Sequence, residues 1–347
     1  MLIIRPARQS DLGDLMDLSH AVGTGMTSMP ANEGSWLEKL TRSEASFKSP
    51  AMGPQGEIYF MVLEDTKTQK AVGTTALYAG VGLKYPFYSY KISTLVNASS
   101  ELETTRKMKV MMLVNDYTGA TEIGSLYLSK EYRQPGIGQF LSRCRYLTLA
   151  DFPDRFGDMV MAEMRGWQGK DGSSPFWTHL GEKFFGIAFE NADKISSVKG
   201  TQIISDLMPK YPIYIDLLPE EAQEVIGKPH ESSSPALRLL EKEGFNFNGY
   251  VDVFDGGPSV EVPTRNIKTL QSSRVASVSG TTEQAAAEDQ SNLYMISNAN
   301  IDAYRMCLQP AELNDTKSIK LTQETIDALR LKDGDEVRYV KFRENKS

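Results

Sequence analysis

Glu122-Ile123-Gly124-Ser125-Leu126-Tyr127-Leu128, followed by Arg133-Gln134-Pro135-Gly136-Ile137-Gly138, is the stretch on which the fold turns. The first part reads as a strand. The second reads as a glycine-bearing turn that opens a helix, because Phe140, Cys144 and Leu147 recur at helical spacing with Leu141 and Thr148 beside them. A strand feeding such a loop is a phosphate cradle. The unbonded N–H groups of the first helical turn point at the ligand, and the helix dipole favours an anion there. Gly136 and Gly138 let the backbone approach closely, and Arg133 can add a charge-assisted contact. An ordinary strand–turn–helix corner would look the same over six residues, so the rest of the chain has to decide.

The 347 residues leave room for two domains, or for one large domain with an appendage. At 40% hydrophobic and 24% charged residues, the chain has the make-up of a globular protein. Its net charge of −7 speaks against nucleic acid or an anionic membrane as partner, since both require a basic face. A local basic pocket for phosphates remains compatible with that charge. The two cysteines, Cys144 and Cys307, suggest neither a disulfide nor a metal framework, and no metal or cofactor is expected. Met1 to Pro6 reads as a short strand rather than a signal peptide. No apolar run approaches membrane-spanning length, so a cytoplasmic protein is expected.

Outward from the loop, the pattern is mixed α and β. Leu2 to Pro6 reads as a strand, Ser10-Asp11 as a cap for a helix carrying Leu12, Leu15, Met16 and Ser19, and Gly23 to Pro30 as a loop. A second helix spans about Glu33 to Ser46. Strands are expected at Ile58 to Leu63, Ala71 to Leu77, Tyr85 to Val96, Val110 to Val114 and, after Phe152-Pro153 stops the loop helix, Asp158 to Met164. Ser174-Pro175 and Ser234-Pro235 each open a short helix, followed by Gly and Phe, as an internal duplication or convergent capping would both produce. Gln271 to Gln290 reads as a connector with one strand at Arg274 to Val278, and the tail beyond it as a small β-rich module without a catalytic constellation.

Arg-x-x-Gly-x-Gly after a strand resembles the pyrophosphate loop of the GNAT acyl-CoA N-acyltransferases. The longer motifs resemble the bacterial arginine N-succinyltransferase family over essentially the whole chain. They include Thr27-Ser28-Met29-Pro30-Ala31-Asn32-Glu33, Asn115-Asp116-Tyr117-Thr118-Gly119, Ala162-Glu163-Met164-Arg165-Gly166, Leu207-Met208-Pro209-Lys210-Tyr211-Pro212 and Val225-Ile226-Gly227-Lys228-Pro229-His230. Leu240-Glu241-Lys242-Glu243-Gly244-Phe245 and Phe254-Asp255-Gly256-Gly257-Pro258 complete the series. The resemblance implies an α/β fold with a GNAT-like mixed twisted sheet flanked by helices. Two GNAT-like halves are expected, at 1–200 and 201–265, with a connector and small β-rich module at 266–347. It also implies succinyl transfer from succinyl-CoA to the α-amino group of L-arginine, with ornithine accepted by some members. His230 falls on the family's catalytic histidine and Leu126 on its succinyl-CoA contact. Arg133, Gln134, Gly136, Ile137 and Gly138 would complete the CoA-binding loop.

Acyl transfer from a thioester to an amine needs a neutral amine, a stabilised oxyanion and accommodation of the departing thiolate. The backbone N–H of Leu126, rather than its core-type side chain, suits the oxyanion, and such a donor contributes ~3 kcal/mol to the transition state. Of the three histidines, His20 lies late in an amphipathic helix and His179 inside the Ser174-Pro175 helix. His230 lies in a loop able to present it to a cleft, as proton donor to the thiolate or acceptor from the amine. Glu163, Asp252 and Asp255 are candidates for the guanidinium and Arg165 for the succinyl carboxylate, while fold-stabilising ion pairs would use the same residue types. The lack of a plausible Cys nucleophile points to direct attack. Rival readings are a dual arginine/ornithine enzyme, a non-catalytic CoA-binding subunit of a heteromer, and acetyl transfer to a protein amine. A homo-oligomer and pairing with a homologous subunit are both compatible with the sequence.

Overall fold

The computed structural model describes residues 1–22, 26, 28–189, 202–283 and 292–343. Of the loop expected at Gly23 to Pro30, residues 23–25 and 27 lie outside the described residues. The far part of the connector and the 200/201 boundary lie outside the described residues. In chain order come β1 (Leu2–Pro6), α1 (Leu12–Val22), α2 (Glu33–Lys48), β2 (Ile58–Asp65), β3 (Lys70–Ala79), β4 (Ser89–Ser99), β5 (Thr104–Val114), β6 (Thr121–Leu128), α3 (Ile137–Asp151) and β7 (Met159–Glu163). Then follow β8 (Ile213–Tyr214), β9 (Asn246–Asp252), β10 (Pro258–Pro263), β11 (Arg274–Thr281), β12 (Leu293–Ser297), β13 (Met306–Pro310), β14 (Glu312–Leu313), β15 (Ser318–Leu321) and β16 (Glu336–Lys341). The class is α/β, with the strands joined mainly as antiparallel neighbours.

The chain forms two compact units, each assembled from separated segments. One contains Met1–Ala79, Ile123–Asp158 and Thr264–Ser347; the other contains Gly80–Glu122 and Met159–Pro263. These units cut across the contiguous blocks 1–200, 201–265 and 266–347, because strand pairing ties together segments far apart in sequence. The C-terminal strands illustrate this. Cys307 on β13 pairs with Ile3 on β1, so the β-rich tail extends the first unit's sheet.

In the first unit, the strands run β14-β15-β11-β16-β12-β13-β1-β2-β3-β6. Leu15 and Leu18 of α1 and Trp36 and Leu40 of α2 pack with Phe60, Val62 and Ala76. Asn32 caps α2 by accepting the Ser35 N–H at 2.8 Å. Before α1, the turn Gln9–Asp11 is capped by Arg8 rather than by Ser10-Asp11, and Asp11 stands at its third position. Its carboxylate takes the Arg8 N–H at 2.8 Å and both terminal nitrogens of the buried Arg5 guanidinium at 2.7 and 2.8 Å. The loop helix α3 buries Phe140, Leu141, Cys144 and Leu147, the stripe that its sequence spacing indicates.

In the second unit, the order runs from the start of β6 through β7-β10-β9-β4-β5-β8. One face packs Tyr90, Val251 and Val253 against Phe176, Trp177 and Leu180. The Ser174-Pro175 segment contains a π-helical turn, Trp177–Gly181, in place of a regular helix. A Cβ at Gly181 would stand 2.2 Å from the Trp177 ring, so the widened turn makes room for the indole. The Ser234–Glu243 helix is regular and ends at Gly244 with φ 106°. The two Ser-Pro helices thus share a sequence plan without sharing geometry.

Candidate active site

The loop residues lie in the first unit. Gly136 caps α3 with φ 94°, a left-handed conformation that disfavours any side chain. Ile137 donates its N–H to Gln134 O at 3.2 Å and Phe140 donates to Gly136 O at 2.8 Å. Between them, the amides of Gly138 and Gln139 have no backbone acceptor among the described residues. A Cβ at Gly138 would meet nothing within 4 Å. Arg133 is exposed, and its Nε folds back onto Leu128 O at 3.1 Å, beside the Tyr127 ring. Gln134 and Pro135 are exposed as well.

Strand β6 leads into this loop with a kink. It pairs in parallel with β7 at Thr121↔Val160 and Glu122↔Met161. Ser125, further along, has φ 52°, uncommon for a residue with a side chain and out of place in a regular strand. Two contacts hold it there: Thr74 Oγ1 donates to Ser125 O at 2.8 Å, and Ser125 Oγ lies 2.7 Å from Tyr78 Oη. Leu126 follows directly and is half-buried. Nothing in the sequence singles out Ser125, because positive φ is ordinarily a glycine signal.

His230 and the four candidate substrate residues lie in the second unit. The His230 N–H donates to Arg165 O at 2.8 Å, Trp167 N–H to Lys228 O at 3.0 Å and Gly227 N–H to Gly256 O at 2.8 Å. A bridge at Gly166↔Pro229 completes the clamp. His230 Nδ1 accepts the Ser232 N–H at 3.2 Å and lies 2.7 Å from Ser232 Oγ. In the neutral ring the proton therefore sits on Nε2, for which no partner occurs among the described residues. A cavity of about 370 Å³ adjoins this segment, lined by Gly227, Pro229, Leu237, Phe245, Phe247 and Val260. Of the other histidines, His179 pairs with Glu221, and His20 is exposed at the end of α1.

Glu163, Asp252 and Asp255 come together, as their repulsion records. Burial, then the charges of Asp252, Glu122 and Asp255, push the Glu163 carboxyl well above its ordinary value. Burial and then Asp255 raise Asp252 to about 7. Asp255 is raised by burial, with its backbone partners and Arg165 acting the other way. The three carboxylates have different duties. Asp255 accepts the Gly166 N–H at 2.7 Å and the Gly257 N–H at 2.8 Å, stapling the corner after β7 to the turn after β9. Asp252 Oδ1 accepts the N–H groups of Phe254 and Asp255 at 2.7 and 2.9 Å. Arg165 donates to Gln168 beside Asp255. Asp255 and Arg165 thus serve the fold of this corner, the structural role that the sequence left open beside substrate binding. Glu163 accepts no hydrogen bond from the described residues.

Burial raises the Cys144 thiol to about 12 and raises Cys307 still further, so neither is a nucleophile near neutrality. Among the described residues, no His, Cys, Asp and Glu group has the arrangement to hold a metal ion, and no helix is long and apolar enough to cross a membrane.

Comparison with known proteins identifies the class as an acyltransferase enzyme. The chain belongs to the arginine N-succinyltransferase family: residues 2–269 match the family described as "Arginine N-succinyltransferase beta subunit" and residues 274–341 its "C-terminal domain". A protein named arginine N-succinyltransferase from Escherichia coli (strain 55989 / EAEC) is 38% identical over 343 residues, covering 99% of this chain and 98% of its own. One of the same name from Yersinia pestis (strain Pestoides F) is 38% identical, covering 98% and 97%. A solved structure of arginine/ornithine succinyltransferase subunit AI from Pseudomonas aeruginosa matches at 33% identity with a TM-score of 0.89, covering 99% of both chains.

Proposed function

We propose that this protein transfers the succinyl group of succinyl-CoA to the α-amino group of L-arginine, giving N2-succinylarginine and free CoA. The full-length identity to proteins named for that reaction carries the reading. In the proposed reaction the neutral amine attacks the thioester carbonyl, a C–N bond forms, the C–S bond breaks and CoA leaves as thiolate. The ammonium proton is lost to solvent or to a base. The free amides of Gly138 and Gln139, with Gly136, Ile137 and Arg133 around them, suit the CoA phosphates. The kink at Ser125 supports assigning the Leu126 N–H to the developing oxyanion.

His230 is proposed to act through Nε2. Ser232 holds Nδ1, and its hydroxyl can accept the second ring proton when the imidazole is charged. The imidazolium then offers its Nε2 proton to the departing thiolate. No cofactor is needed, since succinyl-CoA is a co-substrate. Mass spectrometry of the product tests the reading: a succinyl adduct on the α-nitrogen of arginine is expected, and a side-chain adduct or none would overturn it. A second reading, use of ornithine as well, is favoured by the name of the Pseudomonas aeruginosa relative, and competition between the two acceptors distinguishes the cases.

A further inference from the structure

Strand register in the second unit places a row of acceptors on one sheet face. Ser259 on β10 lies opposite Glu163 on β7 and Tyr250 on β9. Ser89 on β4 lies opposite Asp252 on β9. Directly opposed residues of antiparallel strands project to the same side, so Ser259 adjoins Glu163 and Ser89 adjoins Asp252. Both hydroxyls are inaccessible, at 0% and 1% exposure, and neither has a hydrogen-bond partner. Leaving a buried hydroxyl unpaired is costly, and two beside the same carboxylate cluster mark a place where donors are missing.

The charges on this face are equally one-sided. Glu163 faces Asp252, Glu122 and Asp255 without a cation among the groups that act on it. Lys91 shares the face, but its ammonium lies 3.7 Å over the Tyr250 ring and donates to Asn248 O. Arg165 is directed to Gln168 and Asp255. Glu163 is half-buried as a residue, and burial is the main cause that raises its carboxyl.

We infer that Glu163, on the face where the Ser259 and Ser89 hydroxyls lie unpaired, seats the guanidinium of the acceptor substrate. The inference rests on the acceptor proposed above. A guanidinium brings five donors in one plane and stays charged at all working pH values, which matches a carboxylate with neighbouring hydroxyls. The reacting α-amine is a poor match. It must lose its proton to attack, and a carboxylate nest would hold that proton in place. The nest therefore belongs to the end of the substrate that does not react.

The test compares wild type, Glu163→Gln and Ser259→Ala as full chains. KM is measured for succinyl-CoA and for L-arginine, with L-citrulline, whose terminal urea is uncharged, as the control acceptor. Glu163→Gln is expected to raise the arginine KM ~10–100-fold, to leave the succinyl-CoA KM unchanged and to erase the preference for arginine over citrulline. Ser259→Ala is expected to raise the arginine KM by about threefold. An unchanged arginine KM and preference in Glu163→Gln would overturn the assignment. So would an equal rise in both KM values, the mark of a structural role. Calorimetric binding of arginine to wild type and Glu163→Gln separates the two proposals. If wild type binds arginine without acylating it, the proposed reaction fails and the binding difference still decides the site. If it does neither, both fail.

Discussion

The loop Arg133–Gly138 leads to free backbone amides at the start of α3, whereas the acidic face of the second unit presents side chains drawn from β4, β7, β9 and β10. The loop is built by six consecutive residues and one left-handed glycine. The acidic face is built by register: Glu163 meets Ser259, and Asp252 meets Ser89, between strands far apart in sequence. A backbone site survives most substitutions that keep its turn. A side-chain site fails with the loss of one carboxylate or one slip of register. The same contrast applies to charge. The loop has uncharged dipoles at a helix start, while the face concentrates carboxyl groups whose burial and mutual repulsion raise their proton affinity.

The strongest challenge lies at His230, outside both regions. His230→Ala is expected to lower kcat ~10²–10⁴-fold while leaving the succinyl-CoA KM in place, which steady-state kinetics would reveal. Unchanged turnover would remove His230 from the chemistry. Next comes Asp255→Ala, which strips the acceptor from two backbone N–H groups, one of them on the buried Gly166. A loss of about 2–4 kcal/mol in unfolding free energy is expected by thermal or denaturant melts. A variant of full stability would mean that Asp255 is free for substrate after all.

Gly136→Asp is the corresponding blow to the loop. It forces a side chain into backbone at φ 94° and sets a negative charge at the helix start, so the succinyl-CoA KM should rise ~10–100-fold with the arginine KM unaffected. Equal affinity for CoA would end the cradle assignment.

The smallest effect concerns protons. Asp252 sits at about 7 in the fold against an ordinary value of 3.8, with burial as the main cause and Asp255 next. Between these values the folded chain holds more protons than the unfolded one. The stabilisation from the neutral carboxyl is fully present below the ordinary value and is lost as pH rises through about 7. The Tm of wild type should therefore fall more steeply between these pH values than that of Asp252→Asn, which retains the Oδ1 acceptor for Phe254 and Asp255. Parallel curves would show that Asp252 is not buried against its neighbours.

The contrast between the regions also explains what the sequence made legible. The loop, its helix stripe at Phe140, Cys144 and Leu147, and the hairpin of β2 and β3 are local patterns, and the fold reproduces them. Glu163, Asp252 and Asp255 were identifiable as acids, but their division into two that hold backbone N–H groups and one that does not depends on where those N–H groups lie in space. Gly257 shows how tight that corner is: a Cβ there would stand 2.2 Å from Met164 O. Ser259 and Ser89 had no sequence signal at all, because an isolated serine in a strand looks like any other. Ser125 was hidden for a different reason: its positive φ is imposed by Thr74 and Tyr78 from another strand. The Ser174-Pro175 helix opened where its cap indicated, yet turned π-helical because Trp177 lies over Gly181.

The central claim is succinyl transfer to arginine, and release of free CoA by the purified chain tests it most directly. Succinyl-CoA is supplied with L-arginine, with L-ornithine or without acceptor, and acetyl-CoA with L-arginine serves as the donor control. CoA release that depends on arginine and on the succinyl donor is expected. Release at the same rate without acceptor, or none with arginine, would contradict it.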